Sequence, residues 1–64
     1  MDLENFKTMD VFMLLSIVNL KLRDYYGNLD ALCEDLNIEK NCLVDRLKSA
    51  NYVYNERNNQ FVGI

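Results

Sequence analysis

The 64-residue chain has no histidine, no tryptophan and no proline, and only two glycines and two cysteines. Each absence removes a class of function. Without histidine, no serine or cysteine has the usual base to activate it as a nucleophile. With Gly27 and Gly63 as the only glycines, there is no glycine-rich loop to cradle a phosphate. Cys33 and Cys42 form no Cys-x-x-Cys pair, so the usual ligand set of a structural zinc site is missing. In a reducing compartment the two are expected as free thiols. Ten carboxylates are present, but Glu34, Asp35 and Glu39 cluster where solvated charge is the ordinary expectation. The chain reads as non-enzymatic, with no cofactor.

Cations are also scarce. Seven Lys and Arg stand against ten Asp and Glu, for a net charge of −3. Nucleic-acid-binding domains draw much of their affinity from cations that neutralise phosphates, so this balance disfavours DNA. It equally disfavours adsorption to an anionic membrane. No long hydrophobic run is present: residues 11–22, the most apolar stretch, are interrupted by Ser16, Asn19 and Lys21. Asp2 and Glu4 against Lys7 are not the basic start of a signal peptide. A cytoplasmic protein is expected.

What is present suits a compact helical domain. Half the residues are hydrophobic, and the length allows one core. The spacing predicts residues 1–7 as an N-terminal segment, 8–50 as three helices and 51–64 as a β-hairpin, a mainly α, α+β architecture. Thr8 or Asp10 caps a first helix running to about Tyr25. At 100° per residue, Val11, Leu14, Leu15, Val18, Leu22, Tyr25 and Tyr26 fall in one core-facing stripe. Gly27 is expected to end this helix in left-handed backbone. Asn28 caps a short second helix with Asp30 in its first turn, burying Leu29, Leu32, Cys33 and Leu36. Asn37 takes a left-handed turn position and Ile38 plugs the turn. A third helix, from Glu39 or Lys40 to Ser49 or Ala50, buries Leu43, Leu47 and Ala50. Tyr52, Val53 and Tyr54 read as a strand, 55–59 as turn chemistry and 60–64 as the return strand. Tyr52, Tyr54 and Phe61 are the expected covers of the core.

Three surfaces stand out as candidate sites. Leu32 and Cys33, then Leu36-Asn37-Ile38, then Leu43 and Leu47 resemble the apolar skeleton of a helix-turn-helix, and the hairpin resembles a winged-helix wing. Arg46 departs from that pattern, standing where an apolar residue is usual. The outer face of helix three, the recognition helix of DNA-binding relatives, would show Asn41, Asp45 and Lys48, flanked by Glu39, Cys42, Val44 and Ser49. Its two acids favour a protein partner. Arg57, beside Glu56, is the one cation at the wing tip.

The second surface is polar. Asn19, Arg23 and Asp24 lie near the end of helix one, where a carboxylate faces the unfavourable end of the dipole and needs a cation or N–H partner. The third is apolar. Met13, Ile17 and Leu20 form a stripe nearly opposite the core stripe and must be covered by something. The chain itself offers Leu3 and Phe6, or Val62 and Ile64; a homodimer through helix one is the alternative.

The blocks Met13-Leu14-Leu15-Ser16, Val18-Asn19, Lys21-Leu22-Arg23-Asp24, Tyr26, Leu29-Asp30, Leu32-Cys33, Asn51-Tyr52-x-Tyr54 and Asn59-Gln60-Phe61 resemble a family of short bacterial proteins of about sixty residues, a domain of unknown function. The Lys-Leu-Arg-Asp and Asn-Gln-Phe blocks are the more specific parts. Where the family has a Gly-Tyr pair this chain has Asn51-Tyr52, and asparagine tolerates the same backbone. The resemblance implies a bacterial cytoplasmic protein and supplies no activity. The resulting expectation is a protein–protein interaction or accessory regulatory module, with a winged-helix DNA-binding regulator as the alternative.

Overall fold

The computed structural model describes residues 5–64; Leu3, like Met1, Asp2 and Glu4, lies outside the described residues. Three helices are followed by a hairpin: α1 (Val11–Asp24), α2 (Leu29–Leu36), α3 (Lys40–Lys48), β1 (Tyr52–Asn55) and β2 (Gln60–Gly63). No helix among the described residues is long and apolar enough to cross a membrane.

Helix α1 starts where Asp10 accepts from the Met13 N–H at 3.0 Å, a side-chain cap for one of the orphan donors of the first turn. Leu14, Val18 and Leu22 are its buried residues, with Val11 and Leu15 packed at their edge. Tyr25 does not join them. It is 73% exposed, because the chain leaves the helical path there and the ring lies under the Lys21 ammonium. The amides of Tyr25 and Tyr26 both donate to the Lys21 carbonyl and close the last turn. Gly27 is not left-handed either. The positive-φ positions among the described residues are three asparagines: Asn37 (58°), Asn51 (69°) and Asn59 (54°).

Helix α2 is capped at both ends by asparagine. The Asn28 Oδ1 accepts from Ala31 at 2.7 Å. At the other end, left-handed Asn37 lets Ile38 donate back to the Cys33 carbonyl at 2.9 Å. Residues 37–39 then lead directly into α3, whose cap residue Glu39 makes no side-chain cap bond. Asn51 plays the closing part for α3, donating to the Lys48 carbonyl at 2.8 Å.

The strands pair antiparallel, Tyr52 with Gly63 through Asn55 with Gln60. Asn55, expected in the turn, is the last strand residue, and its Oδ1 also organises the turn by accepting from the amides of Arg57 and Asn58. The buried core draws on every element but β1: Phe6, Leu14, Val18, Leu22, Leu29, Leu32, Cys33, Leu43, Leu47 and Phe61. Tyr52 and Tyr54 pack against its rim, as does Leu36.

Arg46 has a structural use. Half-buried on α3, it donates from Nη2 to the Met9 carbonyl at 2.7 Å and so ties α3 to the segment before α1. Its stem can line the core while its head finds a carbonyl, which is how arginine stands where an apolar residue was expected. The buried Nε has no hydrogen-bond partner among the described residues.

Candidate functional site

The three expected surfaces fare differently. On α3, Asn41, Asp45 and Lys48 follow one another at i, i+4 and i+7, and all three are exposed on one outer face. Glu39 is exposed as the cap residue before α3, while Cys42 and Val44 are half-buried beside that face. Lys40, the first residue of α3, is engaged by Asp30 at 2.8 Å. Arg57 and Glu56 are both exposed in the turn of the hairpin. The charge presented here is mixed in sign.

The polar surface on α1 is divided. Arg23 and Asp24 are exposed and pair with each other at 3.0 Å. The hydrogen bond between them lowers the carboxyl pKa of Asp24 and raises that of Arg23, so the unfavourable carboxylate at the helix end is compensated by its neighbour. Asn19, by contrast, is half-buried and committed. Its Oδ1 accepts from the Phe61 N–H at 2.7 Å and its Nδ2 donates to the Phe61 carbonyl at 3.1 Å. Gln60 adds a bond from Nε2 to the Asn19 carbonyl at 2.9 Å. The three residues therefore do not act as one surface.

A second amide junction was not foreseen from the sequence. The Asn59 Nδ2 donates to the carbonyls of Leu22 and Tyr26, both at 2.9 Å, and its Oδ1 accepts from the Tyr54 hydroxyl at 2.6 Å. That hydroxyl in turn accepts from the Leu29 N–H at 3.3 Å. The end of α1, the start of α2 and the hairpin turn thus meet at one side chain. The sequence signals were the run of three amides, Asn58-Asn59-Gln60, at a turn-to-strand boundary and the place of Asn59-Gln60-Phe61 among the more specific blocks of the resemblance.

The apolar stripe is real but its membership changes. Met13 is 57% exposed and Leu20 47%, whereas Ile17 is half-buried and packs against the core. Ile17 is rotated about 40° from Met13 toward the buried side of the helix, enough to bring it under cover. Phe12, 58% exposed, takes its place on the other flank. Its ring meets that of Tyr52 edge-on, with centroids 6.4 Å apart, and carries the apolar surface from α1 onto the hairpin. Phe6 is buried in the core, not spread over this face, and Ile64 is exposed. The face shown by α1 therefore reads Phe12, Met13, Ser16, Leu20.

One depression of about 380 Å³ lies between the N-terminal segment and the α2–α3 turn, with Phe6, Ile38, Glu39 and Cys42 among its lining. Asn5, Lys7, Thr8 and Asn37 also line it, and its side-chain hydrogen bonds are those from the Thr8 hydroxyl to the Asn5 carbonyl at 3.2 Å and from the Cys42 thiol to the Glu39 carboxylate at 3.7 Å. Among the described residues, no three Cys, Asp or Glu side chains gather where a metal ion would sit.

A family model described as a domain of unknown function (DUF4250) matches residues 8–61. No curated protein matches the chain significantly, and no solved structure does.

Proposed function

We propose, of a chain that belongs to the family of DUF4250 domains of unknown function, that it is a non-catalytic protein-binding module docking through the outer face of α1. One observation carries this reading. Phe12, Met13 and Leu20 hold about half or more of their surface in water on a single helix face, although ten side chains among the described residues form a buried core behind them. Scattered exposed apolar residues need no explanation, but three on one face of a 14-residue helix mark an interaction surface. An accessory regulatory role in the cytoplasm of a bacterium is the setting we infer.

The second reading is a winged-helix DNA-binding regulator. It is favoured by the α2–turn–α3 succession, by exposed Asn41 and Lys48, and by Arg57 at the hairpin tip. Against it stand Asp45 between Asn41 and Lys48, exposed Glu39 at the start of α3, and the net charge of −3. Phosphate contacts supply nearly all non-specific affinity, so duplex binding is expected to be weaker than ~100 μM at physiological salt.

The experiment is an affinity capture from cells that express the chain, run beside a Met13→Glu, Leu20→Glu double variant. A partner retained by the wild type and lost by the variant supports docking on α1. A partner indifferent to both substitutions but lost on Asp45→Lys moves the surface to α3. Low-micromolar duplex binding with a steep salt dependence overturns the reading in favour of DNA.

A further inference from the structure

We infer that the outer face of α1 is occupied by a second copy of this chain, the two α1 helices packing antiparallel about a two-fold axis near Ser16; the inference rests on the α1 docking reading above and names its occupant.

Charge supports this occupant. In a two-fold contact the same patch is brought against itself, so any net charge on the patch is doubled across the interface. From Phe12 to Leu20 the outward positions are Phe12, Met13, Ser16 and Leu20, none of them charged. The nearest exposed charges are Asp10, whose carboxylate accepts from the Met13 N–H, and Arg23 with Asp24, which neutralise one another at 3.0 Å; an axis at Ser16 holds the two copies of Asp10 at opposite ends of the contact. A partner chosen by charge would find nothing here to choose. A copy of the same face meets no repulsion, even though the whole chain carries −3.

Shape points the same way. Phe12, Ser16 and Leu20 repeat at i, i+4 and i+8 along one ridge, with the small side chain between the two large ones. An axis at Ser16 sets Phe12 of one copy against Leu20 of the other at both ends, while the two serines let the backbones approach. Large meets large at the ends and small meets small at the centre.

Area sets the strength. A specific interface needs about 1,000 Å² in total, or roughly 500 Å² from each copy. The chain exposes 4314 Å², so each copy must give up about one-eighth of its surface. The uncharged face from Phe12 to Leu20 runs for about 12 Å at 1.5 Å per residue, and the Phe12–Tyr52 contact extends it onto the hairpin. The interface sits at the small end of its class, so the dimer dissociates on dilution.

The test is sedimentation equilibrium over a wide concentration range, on the wild type and on Leu20→Glu and Ser16→Arg. The wild type is expected to rise from 7.6 kDa to twice that mass with concentration. Both variants are expected to stay at the monomer mass and to melt where the wild type melts when dilute enough to be monomeric, because both positions are exposed and the new charge remains in water. A dimer that persists in both variants places the contact elsewhere and overturns the inference. A wild type that stays monomeric also overturns it, and the Leu20→Glu variant then separates the reasons. A lowered melting temperature means that the chain covers its own α1 face, and the docking reading fails too. An unchanged one leaves the face open to a different protein, and the docking reading survives.

Discussion

Asn19 on α1 pairs with Phe61 on β2 as a neighbouring strand would, accepting from its N–H at 2.7 Å and donating to its carbonyl at 3.1 Å. The pairing follows from the register of the hairpin. Both polar groups of the Phe61 backbone point to Asn19, so Tyr54 and Phe61 form a non-hydrogen-bonded pair, and the bonded pairs fall on either side of it. The bond from Ile64 to the Asn51 carbonyl at 2.8 Å continues this alternation. One side chain therefore does for the outer edge of β2 what a third strand would do.

Replacing Asn19 by alanine leaves the Phe61 N–H and carbonyl unpaired in a half-buried site. The expected cost is about 2 kcal/mol, at roughly 1 kcal/mol for each lost bond. Asn19→Asp is expected to be no rescue, since its second oxygen would face the Phe61 carbonyl. Thermal denaturation measures the loss, and hydrogen exchange at the Phe61 amide locates it. Undiminished protection of that amide in the alanine variant would remove Asn19 from this role.

Asn59 combines a left-handed backbone with three side-chain hydrogen bonds, and glycine separates the two contributions. If φ alone mattered, Asn59→Gly would be neutral or better, because glycine takes this backbone without strain. We expect Asn59→Gly to destabilise by about 2 kcal/mol through the orphaned carbonyls of Leu22 and Tyr26 and the freed Tyr54 hydroxyl. Chemical denaturation midpoints of the two proteins decide it.

Gly27 presents the opposite case. Its φ is not positive, and a Cβ built there meets nothing within 4 Å. Gly27→Ala is therefore expected to stabilise the protein by about 0.5 kcal/mol, by restricting the unfolded chain. A drop in melting temperature would show that this position needs its glycine after all.

The Tyr26 hydroxyl donates to Asp35. That hydrogen bond, assisted by partial burial and by the Asp35 charge, raises the Tyr26 pKa above the ordinary phenol value. A raised pKa means that the folded state favours the protonated phenol. Its contribution to stability is complete below the usual tyrosine range near pH ~10 and is lost as pH rises through the higher folded value. Tyr26→Phe should flatten the alkaline limb of the stability–pH curve and remove a phenol that titrates above the ordinary value from an ultraviolet absorbance titration. An unaltered alkaline limb would count against the Asp35 contact.

The two thiols differ in the same structural terms. Cys33 is buried, and desolvation, with the nearby Asp30 charge, raises its pKa and holds it as the unreactive thiol. Cys42 is half-exposed at the edge of α3. A thiol reagent should modify Cys42 in the native protein and Cys33 only on unfolding, as peptide mapping of the labelled protein would show. Equal rates would mean that α2 opens far more readily than its buried face implies.

Much of this fold was legible because its determinants are local. Asp10, Asn28 and Asn37 act within three to five residues, and the i, i+3, i+4 spacing of leucines fixes which face of each helix is buried. The amide junctions were not legible. Asn19 and Asn59 find their partners 42 and 37 residues away, and a polar residue on a helix flank or in a turn carries no periodic mark of such a partner. Periodicity also placed Ile17 with Met13 and Leu20, since a rotation of about 40° is too small for spacing alone to separate cover from exposure. At the candidate sites, the α3 face could be written from the heptad-like spacing of Asn41, Asp45 and Lys48, whereas the share of Phe12 in the α1 face required its ring contact with Tyr52.

The junction at Asn59 also bears on how the molecule comes apart. An isolated two-stranded hairpin is marginal in water, and here its turn is fastened to the end of one helix and, through Tyr54, to the start of the next. The hairpin turn cannot fray without releasing the carbonyls of Leu22 and Tyr26, and the start of α2 cannot leave the hairpin without breaking its bond to the Tyr54 hydroxyl. Loss of structure should then be all-or-none, with strand and helix amides exchanging at one common free energy and no partly unfolded species in which the helices persist without the hairpin.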